Sequence, residues 1–481
     1  MSKHPEWATK HKRKGTELRL LKGKYYLYEV TSKWNPEKKR SQKITGKLLG
    51  RITREDGFIE SEKRKLQKER NKIEHVSVKE YGITHLINES FPKYMDLLKK
   101  HFPEHWTVIL ALTYGRFVHQ SPMKNMEAHY LNSYLSESYP GLKISGRNLT
   151  EQLRKIGAQR EKIVNFFKEF SSANDNILFD GTDMLSNSKK MDLPKKSKTK
   201  KGVFDQVVNF MFIFSTNLQL PTYYKALSGN IKDIKAFKLC LKESGIKDAT
   251  IIADKGFYST DNVAEMNKEQ LKYIIPLRRN SSLISYQKIE KGDKSKFDGY
   301  FIYEKRVIWY YQLETESENV YVFLDEELKN NEIKDYLNRI DSLPEKYNIE
   351  TFHQKQYIFG TVAMLSNTGK EPEDIYKEYK SRGQIEGMIN VLKNTFDADK
   401  SYMQDEKALE AWMLINFITL HWYYKIIHKL KECKLNTKFS PKDIILFLSN
   451  IKKVRINKTW YNAEITKKNE KVLTALGLHI T

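Results

Sequence analysis

The chain has 481 residues, of which 40% are hydrophobic and 12% aromatic, and it carries a net charge of +24 with a pI near 9.5. This length accommodates two to four domains with a large core, and the basic excess indicates a polyanionic partner, although a lysine-rich composition also accompanies an AT-rich genome. Cys240 and Cys433 lie far apart without a CxxC partner, so the sequence supports neither a disulfide framework nor a zinc site.

Membrane insertion and secretion are also disfavoured by the sequence. No basic and then apolar signal segment opens the chain. The most apolar stretches, 207–214 and 409–427, are too short or contain Glu410, Asn416 and His421. We therefore expect a soluble protein of a reducing cytoplasm, associated with the nucleoid.

Residues 1–75 form the first predicted region, a basic β-hairpin followed by a linker. Short alternating segments between 18 and 50 are interrupted at Trp34 to Pro36, as expected of a hairpin. The highly charged residues 51–75 predict a linker or a solvated helix. The region has a net charge of +12, half of the excess of the whole chain.

Residues 76–173 show helical periodicity, for example at Ile83, Leu86 and Ile87. We predict a helical domain that binds DNA or supports the core. It contains no clear helix-turn-helix pattern.

Residues 174–279 predict the first part of an α/β core. Strand signals at 177–182, 203–215 and 221–226 indicate an antiparallel trio, followed by a helix, a strand that runs up to Asp254 and a further strand. That order of elements is the one that a ribonuclease-H-like fold requires.

The sequence after residue 279 predicts an insertion into this core, followed by the second part of the core and a tail. Residues 280–355 are rich in aromatic and β-branched residues and indicate a β-rich insertion. Residues 356–430 predict the second part of the core, with a strand and a helix that bears site residues. Residues 431–481 predict a helical tail.

Two aspartates follow short apolar runs with strand-like content. Asp180 follows the run 177–179, and Asp254 follows the run 250–252. A carboxylate at the end of a buried strand is costly unless it is paired or binds a metal, although such residues also serve as helix caps or turn residues. Asp183 and Asp205 are weaker alternatives for the first position.

Four polar residues nearer the C-terminus are spaced as if on one stripe of one helix. Tyr379, Arg382, Glu386 and Lys393 have offsets that place them within about 60° of arc at about 100° per residue. Apolar residues such as Ile385 fall on the neighbouring face, a pattern typical of a helix that lines a cleft. The alternative is a solvated face with ion pairs.

The helical glutamate and the two aspartates together suggest a metal site. Three carboxylates in one cleft repel one another unless cations lie between them. A pair of hard divalent ions, Mg²⁺ or Mn²⁺, suits such oxygen ligands.

The combined pattern resembles a known family. D-G-T at 180–182, A-D-K-G-F-Y-S at 253–259 and Y-x2-R-x3-E-x6-K at 379–393 resemble the bacterial insertion-sequence transposases of the insertion sequence 4-like superfamily. The resemblance covers about 175 to 395, and the pattern KGKYYLYEVTSKWNPEKKRSQKITGKLLGRI is similar to the branch related to insertion sequence 1634. It implies a DDE enzyme of α/β class, with a ribonuclease-H-like core interrupted by a β-rich insertion, an N-terminal small β and helical DNA-binding region, and a helical C-terminus.

The resemblance also implies a reaction. Asp180, Asp254 and Glu386 would be the catalytic residues and the ligands of two Mg²⁺ or Mn²⁺ ions, and the reaction would be cleavage at the element's ends followed by strand transfer, in a cut-and-paste manner. The partners would be double-stranded DNA, as terminal inverted repeats and target, and a second copy of the chain in a synaptic complex.

Further residues are expected to contact DNA. Tyr379, Arg382 and Lys393 would bind phosphates, and Trp309 is a candidate for stacking on a flipped base, unless it is a core residue. A run of lysines would form a mobile loop over the DNA backbone, unless it is only solvated: Lys195, Lys196, Lys198, Lys200 and Lys201. His421 lies on an aromatic helix and is expected to be packed rather than catalytic.

Two other functions fit the same residues. The first is a catalytically silent DNA-binding relic or repressor, which intact acids disfavour. The second is a ribonuclease-H-like nuclease, which needs no matched phosphate-binding residues around Glu386.

Overall fold

The computed structural model describes residues 4–70, 73, 75–172, 174–199, 202–231, 233–290, 292–314 and 318–480. These residues form two compact units. The smaller one comprises residues 1–79 with Lys452–Glu464, and the larger one comprises Glu80–Ile451 with residues 465–481. No helix in the described part of the chain is both long and apolar enough to cross a lipid bilayer.

The elements follow one another along the chain as strands and helices of a mixed α/β protein, which confirms the predicted class. The strands are β1 (Thr16–Leu21), β2 (Lys24–Asn35), β3 (Arg40–Thr53), β4 (Gly57–Glu60), β5 (Val76–Glu80), β6 (Asn176–Ser186), β7 (Lys195–Lys198), β8 (Phe204–Ser215), β9 (Leu220–Ser228), β10 (Thr250–Ala253), β11 (Lys272–Leu277), β12 (Gly299–Tyr303), β13 (Arg306–Glu314), β14 (Asn319–Asp325), β15 (Thr361–Ser366), β16 (Lys400–Ser401), β17 (Lys452–Ile456) and β18 (Thr459–Asn462). The helices are α1 (Glu6–Thr9), α2 (Glu62–Arg70), α3 (Gly82–Ser90), α4 (Pro92–His101), α5 (Trp106–His119), α6 (Met126–Asn132), α7 (Leu135–Ser138), α8 (Gly146–Gly157), α9 (Arg160–Lys168), α10 (Asp233–Ser244), α11 (Thr260–Lys268), α12 (Gln287–Glu290), α13 (Glu326–Ser342), α14 (Ile349–Lys355), α15 (Pro372–Lys380), α16 (Gly383–Asn390), α17 (Glu406–Glu432), α18 (Pro441–Ser449) and α19 (Lys467–Ala475).

The smaller unit is built on two sheets. One is the antiparallel sheet β1-β2-β3-β4, whose small core contains Leu18, Leu27 and Ile52. The other joins β5 to the hairpin β17–β18. The segment that was predicted to be a helical tail therefore contains a β-hairpin as well as α18 and α19, since Lys453 to Ile456 pair with Thr459 to Asn462.

The larger unit is built on one long sheet. Its strands run β12-β13-β14-β15-β11-β10-β6-β8-β7, and β9 pairs with β8 while β16 pairs with β6. Strand β6 is parallel to β10, and β10 is parallel to β11, whereas β8 and β9 are antiparallel additions. The strands of the predicted insertion, β12 to β14, extend this same sheet because β14 pairs with β15.

Side-chain alternation divides the sheet between two apolar clusters. Leu178 and Ile252 enter a cluster with α16 and α17, whereas Ile177, Phe179 and Ile251 enter a cluster with α10 and α11. Because both faces are covered, the central strands are apolar on both sides, as in β10.

Helix α17 is the central helix on the first face. It is buried along most of its length, as expected for a helix that is apolar all round, and Asp405 caps it by accepting the Ala408 N–H at 3.0 Å. Helix α8 packs closely against it: a Cβ on Gly157 would lie 1.8 Å from the Lys407 carbonyl oxygen. Glycine is required there for the backbones to approach.

Candidate active site

The two predicted aspartates lie side by side on neighbouring parallel strands. Phe179 of β6 is the register partner of Ala253 of β10, so the residue after each of them is an aspartate at the same level, Asp180 within β6 and Asp254 directly after β10. Neighbouring strands are about 4.8 Å apart. Asp254 follows the end of β10, as predicted.

Asp180, in contrast, does not end its strand. Strand β6 continues to Ser186, because β8 stays paired with it as far as Leu185 opposite Val207. The expectation that Asp180 stands at the end of a strand was therefore wrong, since the partner strand supplies hydrogen bonds that the local sequence does not reveal.

The glutamate approaches the sheet from the helical side. Asp180 is two residues beyond Leu178, so it faces the cluster that contains α16 and α17. Ile385 and Met388 of α16 are buried in that cluster, and Glu386 lies between them in the sequence, with a side chain that is 56% exposed. The helix thus packs on the sheet by its apolar side and presents the carboxylate at the edge of the cleft.

Arg382 joins the three carboxylates. Its Nη2 lies 2.9 Å from Glu386 Oε1 and 3.6 Å from Asp180 Oδ2, and its Nη1 lies 3.7 Å from Asp254 Oδ1. The guanidinium is largely buried, with 16% of its side chain exposed. Folding therefore brings three acids that are distant in sequence to one cation.

The charges around Arg382 alter its acidity and that of a neighbouring phenol. Burial acts to lower the pKa of Arg382, but Asp254, Asp180 and Glu386 outweigh it and raise the pKa above its usual range. The pKa of Tyr379 is raised chiefly by burial, with Asp254 and Glu386 adding to the rise and Arg382 opposing it. Both groups therefore remain protonated at neutral pH and can donate hydrogen bonds.

The four polar residues do not lie on a single regular helix, which corrects the sequence prediction. Tyr379 is in α15, which ends at Lys380, and Arg382 follows in a turn before α16 begins at Gly383. The segment Val391–Thr395, which contains Lys393, is π-helical. Glycine lowers helix propensity at the break, and a π-turn changes the phase of the residues after it.

Residues 172–422, more than half of the chain, match the family model for the transposase DDE domain. The chain belongs to the family of DDE-domain transposases. A cryo-EM structure of a piggyBac transposase synaptic complex with hairpin DNA is similar at a TM-score of 0.40 and 9% identity, over 74% of this chain and 70% of that chain. No curated protein matches the sequence.

The acids of the DDE domain have the donor chemistry of a divalent-metal site. Carboxylate oxygens are hard ligands of the kind that Mg²⁺ and Mn²⁺ prefer. In the described residues the Arg382 guanidinium supplies the countercharge, and no three acidic, histidine or cysteine side chains are arranged to hold an ion together. The ligand types fit such ions.

Lys393 of the DDE domain lies beside β6. Its Nζ donates to the backbone oxygen of Asp183 at 2.5 Å and lies 3.8 Å from Asp183 Oδ1. Asp183 thus contacts Lys393, whereas Asp180 contacts Arg382. Asp205 lies exposed on β8, where its Oδ1 accepts the Gln206 N–H.

Trp309 lies on β13, away from the three acids. Strands β14, β15 and β11 separate β13 from β10, a span of about 19 Å at about 4.8 Å per strand. The indole is half-buried opposite Tyr300, and Lys294 Nζ lies 5.1 Å from its ring centre. Trp309 belongs to neither cluster of buried core residues, although Phe297 also packs against its ring, and its stacking on DNA stays a prediction.

The lysine run does not form a loop throughout. Lys195, Lys196 and Lys198 are exposed on strand β7, which pairs with β8. The loop expectation is wrong for these three because β8 is long enough to pair with them. Lys200 and Lys201 lie outside the described residues.

His421 is packed, as expected. It is fully buried and its Nε2 lies 2.6 Å from the Pro221 carbonyl oxygen. Burial lowers its pKa to about 3, so it is neutral and structural.

Arg116 is a residue that the sequence reasoning missed. This buried guanidinium of α5 donates to the Asn416 side chain of α17 and to the carbonyl oxygens of Gln120, Ser121 and Phe396. Phe396 directly follows the π-helical segment, so Arg116 fixes the C-terminal end of the helical stretch that carries Glu386. The signal was available, because an arginine in the apolar run WTVILALTYGRFVH must find acceptors.

Proposed function

We propose that this chain is an insertion-sequence transposase that cleaves DNA at the ends of its element and joins them to target DNA in a cut-and-paste reaction. The observation that carries the proposal is the convergence of Asp180, Asp254 and Glu386 on one guanidinium. The strand order β9-β8-β6-β10-β11, with β9 and β8 antiparallel, supports a ribonuclease-H-like core for this domain.

Asp180, Asp254 and Glu386 would hold two Mg²⁺ or Mn²⁺ ions. When bound, such ions make water or a hydroxyl a stronger nucleophile and stabilise the charge that develops on the leaving oxygen. Water would add to the scissile phosphorus and break its bond to the 3′ oxygen, which leaves a 3′-hydroxyl and a 5′-phosphate. That hydroxyl would then add to a target phosphorus and release the target's own 3′-hydroxyl.

The cationic residues would position the DNA. Arg382, once its carboxylate partners hold ions, presents a planar fork suited to two phosphate oxygens. Tyr379 and Lys393 flank it on the chain and would donate to neighbouring phosphates. Cleavage of two ends requires two active sites, so a homodimer on DNA is the expected assembly.

The decisive experiment uses purified protein, Mg²⁺ and a linear duplex that carries the sequences flanking the gene. The wild type is expected to cut this duplex and to join the cut end to a second DNA. Glu386→Gln should retain binding within about two-fold but lose at least a thousand-fold in cleavage, since one ligand of the ions is neutralised. Gel-shift and product analysis measure the two effects.

Glu373→Gln is the matched control. Glu373 is an exposed helical glutamate paired with Lys377, and its replacement should leave cleavage unchanged. Cleavage that survives in Glu386→Gln would overturn the assignment of that residue. Cutting without joining would indicate that the protein is a nuclease rather than a transposase.

A further inference from the structure

One end of strand β8 extends beyond the two strands, β6 and β9, that flank it in the sheet. Its pairing with β6 ends at Val207, opposite Leu185, and its pairing with β9 ends at Val208. Among the described residues, Phe204 to Gln206 pair with β7 alone. Residues 195–198 and 204–206 therefore form a two-stranded ribbon that projects beyond the sheet, here called the β7–β8 ribbon.

The two faces of the ribbon differ in charge. Lys198 is opposite Phe204 and Lys196 is opposite Gln206, so these four side chains share one face. The other face carries Lys195 and Asp205. The first face thus combines two cations with an aromatic ring and bears no acid.

The side chains of this face are free to meet a ligand. Phe204 is 74% exposed, and Lys196 and Lys198 are exposed and form no ion pair with any described residue. Leaving a phenylalanine in water sacrifices most of the free energy that burying it would provide. An exposed aromatic ring beside two exposed lysines marks an interaction surface for an anionic partner that offers flat apolar groups.

The same face of the sheet leads back to the three acids. From Phe204 the alternation along β8 runs through Val208 and Phe210 to Phe212, which is the register partner of Asp180. Eight residues of strand at about 3.3 Å each span about 26 Å. Duplex DNA carries two charges per base pair and one charge per about 1.7 Å, so each base pair occupies about 3.4 Å. The distance along β8 therefore equals the length of about eight base pairs.

We propose that the β7–β8 ribbon enters a groove of the DNA about eight base pairs from the scissile phosphate, with Phe204 inserted as a wedge between base pairs and Lys196 and Lys198 on the flanking phosphates. The inference rests on the proposed function. Two-stranded ribbons are known to fit DNA grooves, and apolar wedges unstack a base step and kink the duplex. DNA satisfies both features of the face, since it supplies anionic phosphates beside stacked apolar bases.

The test uses the full-length chain and a 40-base-pair duplex rich in TA steps, which unstack easily. Bound wild-type protein should make thymines reactive to permanganate, which attacks unstacked bases. Phe204→Ala should abolish that reactivity and weaken binding about ten-fold without changing the salt dependence. Phe204→Trp should retain the reactivity. Lys196→Gln with Lys198→Gln should reduce the slope of log affinity against log salt by about 2.

Matched controls separate the wedge from general effects. Val203→Ala removes an exposed apolar side chain beside Phe204, and Lys334→Gln with Lys346→Gln removes two exposed lysines elsewhere; both should behave as wild type. The ribbon inference is overturned if Phe204→Ala keeps the permanganate signal, or if the two double lysine variants change the slope equally. Wild-type protein that fails to bind duplex DNA would overturn the proposed function as well.

Discussion

At the scale of single residues, Arg382 stabilises a site whose three carboxylates would otherwise repel one another. Its guanidinium lies within 3.7 Å of all three carboxylates. Removing one partner of a buried ionic group leaves uncompensated charge, which costs about 3–5 kcal/mol when burial is complete. Asp254 and Glu386 are partly exposed, so solvent screens much of that cost.

Arg382→Gln is therefore expected to lower the free energy of unfolding by about 1–2 kcal/mol at pH 7. Millimolar Mn²⁺ should restore the lost stability, because an ion bound to the folded state replaces the missing countercharge. Thermal unfolding with and without Mn²⁺ measures the effect. Arg339→Gln is the control, since Arg339 forms an exposed pair with Asp335. An equal Mn²⁺ response in both variants would contradict the assigned role of the carboxylates.

At the scale of elements, one ionic cluster joins α9, β9, α10 and α17. Arg160 lies 2.6 Å from Glu243 and 2.7 Å from Glu410, and Glu243 also accepts from Tyr223 and pairs with Lys225 at 2.9 Å. These contacts fix the helices around the sheet edge that carries β8 and β9. They support the shape of the core from outside the active site.

The cluster gives stability a predictable pH dependence. Burial acts to raise the pKa of Glu243, but Arg160, Tyr223 and Lys225 outweigh it and lower the pKa from 4.5 to about 2. Because the pKa of Glu243 is lower in the folded than in the unfolded state, its ionised carboxylate stabilises the fold. This contribution to the free energy of unfolding is complete above pH 4.5 and is lost as the pH falls towards 2. Glu243→Gln should therefore lower the free energy of unfolding by about 2 kcal/mol at pH 6, which lowers the unfolding temperature. At pH 3 the variant should differ less from the wild type.

Thermal unfolding of both proteins between pH 6 and pH 3 measures this convergence. Glu345→Gln, at an exposed glutamate, should match wild type throughout. A difference for Glu243→Gln that stays constant over this range would show that its ionisation does not stabilise the fold.

At the scale of the whole molecule, the net charge of +24 should dominate DNA affinity. The excess is concentrated in the smaller unit, where β2 and β3 form a long exposed hairpin. Lys33, Lys38 and Lys39 near its turn are exposed. This hairpin is a second basic surface, independent of the β7–β8 ribbon.

Replacing Lys33, Lys38 and Lys39 by glutamine is expected to reduce the salt slope of DNA affinity by about 3, because each lysine on a phosphate displaces about one counterion. Binding titrations between 50 mM and 200 mM salt measure the slope. A triple replacement at Lys334, Lys346 and Lys355 removes the same charge and should leave the slope unchanged. Equal slopes for the two triple variants would assign affinity to net charge rather than to the hairpin.

Much of the site followed from local sequence. The apolar runs before Asp180 and Asp254 predicted strands, and the apolar face that includes Ile385 predicted a helix with one buried side. These signals are local, because side-chain periodicity reports which face of an element is buried. The mixed α/β class that these patterns predicted and the transposase family that the motif resemblance implied were both confirmed.

Other features could be decided only in three dimensions. The extension of β6 past Asp180, the break before Arg382 and the strand formed by Lys195–Lys198 all depend on partners distant in the chain. The sequence by itself determined which residues are acidic, which are basic and which runs are buried. Tertiary structure decided which of them meet, because strand pairing and the turn at Arg382 set distances that no local pattern contains.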